Sequence, residues 1–150
     1  MGITIGDETM TDNAPRNLAT AQAIYQSFGS GNIPAIIDVL ADDVQWESWG
    51  ENSAQEAGVP WMASGNGKAG AMHFFQTVGS DFDITEFSVL NFAAGGDRVF
   101  VEFVMDANIR STGKHFRDEE IHLWTFNEDG KVSRLRHYAD TAKHIAAAAK

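Results

Sequence analysis

The 150-residue chain contains no cysteine, and this absence removes several classes of chemistry. Disulfide bonds, thiolate nucleophiles, cysteine-based zinc sites and iron–sulfur clusters all need cysteine, so the fold must be stabilised by its core. Uninterrupted apolar runs are also far shorter than the ~20 residues that a membrane-spanning helix requires. The first residues lack the basic, apolar and small-residue zones of a signal peptide. We therefore expect a cytoplasmic protein without a membrane partner.

Basic residues are scarce: 11 Lys and Arg stand against 21 Asp and Glu, which gives a formal net charge of -10. Such a field repels phosphate polymers, so nucleic acid is not an expected partner. The histidines are scattered rather than grouped at metal-ligand spacing, and the glycine pairs lack the pattern of a phosphate-binding loop. The sequence therefore predicts neither a metal site nor a cofactor.

The order of the periodic segments predicts an α+β fold. Segments with helical spacing come first, and segments rich in β-branched and aromatic residues dominate the second half. The predicted helices cover 15–28, 33–40, 68–78 and 141–149, and the predicted strands cover 44–49, 82–92, 98–109, 116–126 and 131–138. A change of apolar phase between Ile84 and Phe87 indicates a β-bulge, which bends a sheet. We expect a cone-shaped, curved antiparallel sheet with the N-terminal helices on its concave face, a cystatin-like α+β roll.

Only the N-terminus departs from this regular pattern. The first 13 residues mix Gly, Thr, Asp and Asn without a period, which predicts a flexible tail. Neither an internal repeat nor a shift of composition divides the remainder. We therefore assign residues 1–13 to the tail and residues 14–150 to one domain.

Six short strings follow one another in an order known from one protein family. They are Leu40-Ala41-Asp42-Asp43-Val44, Val59-Pro60-Trp61 with Gly65 and Gly67, Phe74-Phe75, Gly96-Asp97-Arg98-Val99, Asp129-Gly130-Lys131-Val132 and Arg136-His137-Tyr138-Ala139-Asp140-Thr141. In this order the chain resembles the SnoaL-like branch of the superfamily that includes nuclear transport factor 2 and ketosteroid isomerase. The resemblance implies a pocket between sheet and helices, a homodimer formed through the sheet, and functions that range from isomerases, cyclases and dehydratases to non-catalytic binders.

The resemblance also bears on individual site residues. The general-base position of the steroid isomerases falls on Ser48, and their oxyanion-hole tyrosine falls next to Tyr25. The Arg and Asp of the related epoxide hydrolases fall on Phe103 and Met105. The acid/base aspartate of the polyketide cyclases falls on His137, which the resemblance therefore implies as the catalytic residue. An imidazole can accept or donate a proton near neutral pH.

The sequence does not determine which face of the last two strands lines the pocket. Alternation places Leu135 and His137 on one face and Arg136 and Tyr138 on the other. If His137 faces the pocket, it can act as acid or base. If the other face does, Arg136 and Tyr138 can hydrogen-bond an anionic or carbonyl ligand.

The preceding strand has the same two-phase ambiguity. One phase holds Glu120, His122 and Trp124, and the other holds Glu119, Ile121 and Leu123. We predict that Glu119 lies near the pocket mouth and orients His137 as its carboxylate partner. The alternative is a charged strand end in solvent.

Four Trp and ten Phe supply enough aromatic surface either to line an apolar pocket or to fill the core. The predicted ligand-contacting residues are Trp46, Trp61, Phe75, Phe103, Met105, Leu123, His122 and Tyr25. The predicted function is that of a small-molecule pocket protein, a cofactor-free isomerase, cyclase or dehydratase that acts on a small apolar carbonyl or cyclic substrate with His137 and Glu119 as acid/base groups. The alternative is a non-catalytic protein that binds or senses a small hydrophobic ligand.

Overall fold

A computed structural model of the chain describes residues 1–6 and 13–150. The helices are α1 (Ala14–Gly29), α2 (Ile33–Asp38), α3 (Ser53–Glu56), α4 (Gly67–Asp81) and α5 (Thr141–Ala148), and the strands are β1 (Leu40–Trp46), β2 (Gly65–Asn66), β3 (Phe82–Gly95), β4 (Arg98–Ile109), β5 (Lys114–Phe126) and β6 (Val132–Tyr138). Residues 7–12 of the predicted tail lie outside the described residues. In the part of the chain that is described, no helix is long and apolar enough to cross a membrane.

The strands of the described residues form one curved, unclosed sheet in the order β2-β1-β6-β5-β4-β3. The run from β3 to β6 is the predicted antiparallel meander. β1 lies parallel to β6, so the sheet is mixed. A parallel pair needs a long connection, and the whole of the chain between these two strands supplies it. The predicted α+β fold, with N-terminal helices against the sheet, is confirmed.

Two irregularities bend the long strand β3. Its register against β4 shifts between Ile84 and Glu86, where the sequence predicts a bulge, and again between Val89 and Asn91. Bulges increase local twist and curve a sheet. The curvature lets one face of the sheet wrap around the helices.

The segment from residue 50 to 67, for which the sequence predicts neither a helix nor a strand, contains short elements. These are α3, one turn of 3₁₀ helix at Pro60–Met62 and the two-residue strand β2. Each is too short to show a period in the sequence. A Cβ on Gly70 would lie 2.8 Å from the carbonyl carbon of Gly65, so β2 can approach α4 only because both positions are glycine. The segment buries Trp61 at one end of the domain.

Helix α5 is attached to the sheet through the residue that precedes it. Asp140 stands at the N-cap position, but its side chain accepts no capping hydrogen bond. Its backbone N–H instead donates to Oδ2 of Asp118 on β5, at 3.0 Å. α5 therefore begins against a buried carboxylate of the central sheet.

The core between sheet and helices has two parts. One is built around Trp46, Trp124, Phe126 and Leu135, and the other around Trp61, Phe82, Phe103 and Phe116. The ring of His122 contacts both, with centroids 5.8 Å from Trp124 and 4.3 Å from Phe103. The polar residues described next lie where these two groups meet.

Candidate functional site

An apolar cavity of about 50 Å³ lies between the inner face of the sheet and helices α1 and α4. Its walls are mainly aromatic, and its polar side chains are Tyr25, His122, His137 and His144. Because a single water needs about 10–15 Å³, the cavity has room for a few water molecules or a small ligand fragment. The inner face is thus where a ligand can meet titratable groups.

Most of the predicted ligand-contacting residues line this cavity. They are Trp46, Trp61, Phe75, Met105, His122 and Tyr25. Phe103 lies directly behind the wall, where its ring stacks on Phe87 at 4.8 Å and contacts the His137 ring at 6.0 Å. His137 itself faces the cavity, which settles the open question about the faces of β6.

Two predicted placements are wrong. Glu119 is exposed, and it is Glu120 that is buried, at 2% exposure. Leu123 pairs with Arg136 on the outer face of the sheet and is absent from the cavity wall. Both errors have one cause: the two phases of β5 are each partly apolar, so the sequence did not show which of them faces the cavity. The inner face can hold the charge of Glu120 because the imidazoles of His137 and His144 compensate it.

His137 and Glu120 form a buried ion pair. Nε2 of His137 lies 3.3 Å from Oε2 of Glu120, and the other carboxylate oxygen lies 2.6 Å from Nε2 of His144. These ion pairs engage Nε2 of His137 and both oxygens of Glu120. Nδ1 of His137 is buried and has no hydrogen-bonded partner in the described protein, so it remains open to a ligand.

The neighbouring charges favour the ionised form of both partners. Burial disfavours the His137 cation, but the attraction of Glu120, assisted by Glu47 and Asp118, outweighs it and raises the pKa of His137 to about 9. Burial likewise disfavours the Glu120 carboxylate, yet His137 and His144 hold the pKa of Glu120 far below its ordinary value. At neutral pH the cavity thus borders on an imidazolium that is paired with a carboxylate.

The tautomer of His144 follows from its neighbours. Nε1 of Trp61 donates to Nδ1 of His144 at 2.9 Å, and an indole N–H can only donate. Nε2 of His144 therefore carries the proton, and it lies 3.0 Å from Oδ2 of Asp118.

The proton on Nε2 of His144 argues against a metal ion at this cluster. Ligand atoms of Asp118, Glu120 and His144 lie within 4.8 Å of one another, which is compact enough for a metal ion. A metal on Nε2 would have to displace the proton while Nδ1 still accepts from Trp61, which a neutral imidazole cannot do. The cluster fits a hydrogen-bonded network better than a metal centre, and the absence of a metal stays a prediction.

A second polar group lies on the other side of the cavity. Nε1 of Trp124 donates to the hydroxyl of Tyr25 at 2.9 Å, and that hydroxyl lies 2.7 Å from Nδ1 of His122. Burial holds the pKa of His122 well below its ordinary value and raises the pKa of Tyr25. Both groups are therefore neutral near pH 7. Because the Tyr25 oxygen accepts from Trp124, its own O–H can donate to Nδ1 of His122.

Glu47 is a buried acid that the sequence did not indicate. It follows the end of β1 with φ at 52°, in the left-handed region that non-glycine residues rarely adopt. This turn breaks the strand alternation and buries the side chain at 1% exposure, where Trp49 Nε1 donates to it at 3.2 Å. Burial raises the pKa of Glu47 to about 7, against the attraction of His137. No sequence signal marks a left-handed glutamate, and strand alternation alone would put Glu47 on the face opposite Trp46.

Residues 21–135 match the sequence pattern of the SnoaL-like domain family. No curated protein matches the chain.

Solved structures show the same fold. An NTF2-like protein from Burkholderia xenovorans is 23% identical, with 95% of this chain and 100% of that chain covered and a TM-score of 0.74. TerC, crystallised with polyporic acid, is 22% identical, with 87% and 96% covered and a TM-score of 0.70. A protein assigned as a SnoaL-like polyketide cyclase from Mesorhizobium loti is 22% identical, with 80% and 96% covered and a TM-score of 0.64. At these identities the likeness establishes the fold.

Proposed function

Because this chain belongs to the SnoaL-like domain family, we propose that it binds a small cyclic or carbonyl compound and acts on it as a cyclase or isomerase by acid/base chemistry. One observation carries the proposal: Nδ1 of His137 is buried beside the cavity and has no hydrogen-bonded partner among the described residues. Buried polar atoms are normally hydrogen-bonded. A ligand in the cavity is the partner that this nitrogen lacks.

The role of His137 follows from its charge. Although burial opposes it, the attraction of Glu120 raises the pKa of His137 to about 9, so both ring nitrogens carry protons at neutral pH. Nε2 is directed to Glu120, which leaves Nδ1 to donate to a substrate oxygen. When a water or hydroxide that enters with the substrate removes the proton next to its carbonyl, an enolate oxygen forms and the His137 N–H stabilises its charge. The apolar wall strengthens this interaction.

The size of the cavity restricts the substrate. At about 50 Å³ it is smaller than a ring compound, so binding requires side chains to move. The half-buried rings of Phe28, Phe75 and Phe87 lie on this wall, with Phe28 centroids 6.3 Å from Phe75 and 5.4 Å from Phe87. Rotamer changes of this kind are common on binding. We expect these three rings to form the entrance.

A second candidate function is non-catalytic binding. No Asp or Glu is among the described residues that line the cavity, so a carboxylate base in contact with a ligand is lacking. His122 is neutral, but its Nδ1 is engaged by Tyr25. A protein that binds a carbonyl compound without converting it needs only the hydrogen-bond donors of the cavity.

Cyclohexanone in D₂O separates the two functions, because acid/base catalysis exchanges its α-protons and binding alone does not. We expect the wild type to accelerate exchange, measured by loss of the α-proton NMR signal, and His137→Gln to slow it about 100-fold. The rate should fall as pH rises through about 9, where His137 loses its proton. His73→Gln, which changes an exposed histidine of α4, is the matched control.

Saturable binding with no exchange in any variant would favour the non-catalytic function. Absence of binding by cyclohexanone and by other small ring ketones, at concentrations up to their solubility, would refute the pocket function.

We also propose that the protein forms a homodimer through the outer face of the sheet. Phe100, Ile121 and Tyr138 are 43%, 37% and 42% exposed on this face. The register of β4, β5 and β6 places them around Leu123, which is itself only 8% exposed, in one apolar patch. Apolar patches of this kind favour association.

Charge on the outer face supports a second copy as the partner. The register places Arg98 and Arg134 beyond one edge of the patch and Glu119 beyond the other, with Arg136 and Glu102 in the rows between them. A two-fold axis that crosses the strands brings the basic end of one copy over the acidic end of the other.

Light scattering after size exclusion tests the dimer. We expect the wild type at twice the 16.4 kDa of the chain and Ile121→Lys as a monomer, because a lysine would be buried unpaired between the two patches. Ile5→Lys makes the same change at an isoleucine that is 73% exposed and outside the patch, and it should leave the mass unchanged. A monomeric wild type would contradict the proposal.

A further inference from the structure

Three of the four tryptophans line the cavity, and their indole N–H groups differ in one respect. Trp61 donates to His144 and Trp124 donates to Tyr25, both at 2.9 Å. Nε1 of Trp46 is buried and has no partner in the described protein, although Trp46 is only 1% exposed. The fourth tryptophan, Trp49, donates to Glu47. Trp46 is thus the exception among otherwise satisfied indoles.

The surroundings of Trp46 leave the cavity as the place for its missing partner. Its ring packs against the rings of Phe74, Phe75 and Trp124, with centroids at 5.4, 5.6 and 6.0 Å. None of these supplies an oxygen or a free nitrogen acceptor. Because an indole N–H can only donate, the partner must be an acceptor that enters from the cavity.

The sheet register puts this donor near His137. Trp46 pairs with Leu135 of β6, and His137 comes two residues later on the same face of that strand. Both side chains line the cavity. The unpartnered donors of the cavity are therefore concentrated on the β1–β6 side, while its other walls are apolar or internally hydrogen-bonded.

We propose that Trp46 Nε1 and His137 together bind the acceptor oxygen of the ligand, so that the site selects small ring compounds with a carbonyl or carboxylate oxygen over hydrocarbons of the same shape. The inference rests on the proposed function, because it concerns the same cavity. Trp46 acts as a specificity-determining residue: its N–H is satisfied only when an oxygen is bound. A hydrocarbon would fill the cavity and leave both donors unpaired.

The indole signals in a proton–nitrogen NMR spectrum test this directly. Cyclohexanone and cyclohexanecarboxylate provide the oxygen as a ketone or as a carboxylate, and methylenecyclohexane is the matched ligand without a strong acceptor. We expect the two oxygen compounds to shift the Trp46 signal downfield and methylenecyclohexane to leave it nearly in place. The signals of Trp61 and Trp124 are internal controls, because their N–H groups already have acceptors.

The variant Trp46→Phe keeps an aromatic ring and removes the N–H, and it also assigns the Trp46 signal. It should weaken binding of the oxygen compound that shifts this signal roughly 5- to 10-fold, the value of one hydrogen bond, and leave binding of methylenecyclohexane unchanged. A thermal unfolding curve checks that the variant is folded. The ligand-induced shifts of the indole signals are measured in the wild type and do not depend on the stability of the variant.

The outcomes separate the two proposals. If the oxygen compounds bind and shift the His137 signals but leave the Trp46 indole in place, the role of Trp46 is wrong and the pocket function stands. Equal affinity for the ketone and methylenecyclohexane in both proteins would likewise refute the selection for oxygen. If no compound perturbs any cavity residue, the pocket function fails and this inference fails with it.

Discussion

The two faces of β5 carry similar residue types and use them in opposite ways. On the inner face, Glu120 is 2% exposed and lies between two imidazoles. On the outer face, the next residue, Ile121, is 37% exposed and its neighbour Glu119 is exposed as well. An acid is thus buried while an isoleucine one position away meets solvent. Polarity alone did not decide which phase of the strand enters the core.

The side chains that each face contacts decide which residues of β5 can be buried. A buried carboxylate is tolerated where opposite charges compensate it, as His137 and His144 do for Glu120. Apolar residues remain on the outer face because they form a patch, for which we propose a second copy as the cover. The following predictions test this contrast, from the largest expected effect to the smallest.

Replacing the inner acid should cost far more stability than replacing the outer one. Glu120→Gln leaves His137 and His144 without their carboxylate, so we expect the free energy of unfolding to fall by about 3 kcal/mol. The matched change Glu119→Gln should alter it by less than about 0.5 kcal/mol. Urea unfolding at pH 7 measures both. Equal losses in the two variants would contradict the assignment of the inner face.

Stability should decrease as pH rises from 7 to 9. The pKa of His137 is raised from 6.5 to about 9 by folding, so its contribution is complete below 6.5 and is lost as pH passes 9. The charged groups that act on it are Glu120, Glu47 and Asp118. We expect a loss of roughly 1–2 kcal/mol over this range, measured by urea unfolding at several pH values.

Two histidine variants sharpen this prediction. His137→Gln removes the titrating group and should flatten the curve between pH 7 and 9. His73→Gln, at an exposed histidine of α4, should keep the decline. A decline that persists in His137→Gln would assign the effect to another group.

Glu47 should show a smaller effect with its own pH dependence. Folding raises the pKa of Glu47 from 4.5 to about 7, so its neutral form is favoured and stability falls as pH rises from 4.5 through 7. Glutamine imitates the neutral form, so Glu47→Gln should change the free energy of unfolding by less than about 1 kcal/mol at pH 5. By pH 8 the variant should be more stable relative to the wild type than it is at pH 5, because only the wild type must ionise the buried acid.

Glu51 is the matched control for Glu47. It also has a left-handed backbone, with φ at 58°, but its side chain is exposed. Glu51→Gln should therefore show no such pH-dependent gain. A gain of the same size at both positions would mean that backbone conformation, rather than burial of the acid, is responsible.

Local patterns in the sequence predicted most of the fold. The period of each long segment predicted its type, and the phase change near Ile84 predicted the bulge. These features depend on neighbours within a few residues, so they can be inferred without the rest of the chain. The short elements between residues 50 and 67 could not, because they are fixed by contacts such as that of Gly65 with Gly70.

Strand alternation also determines which residues share a face, so the sequence alone could group His137 with Leu135 and Glu120 with His122. Only the tertiary structure decided which group is buried, because this depends on where the helices pack and on which charges meet across strands. It placed Glu120 rather than Glu119 against His137. It also turned Glu47 inward through a single left-handed residue and left the N–H of Trp46 as an open donor beside the cavity. Alternation is a local property of a strand, whereas the compensation of a buried charge is a property of residues distant in the chain.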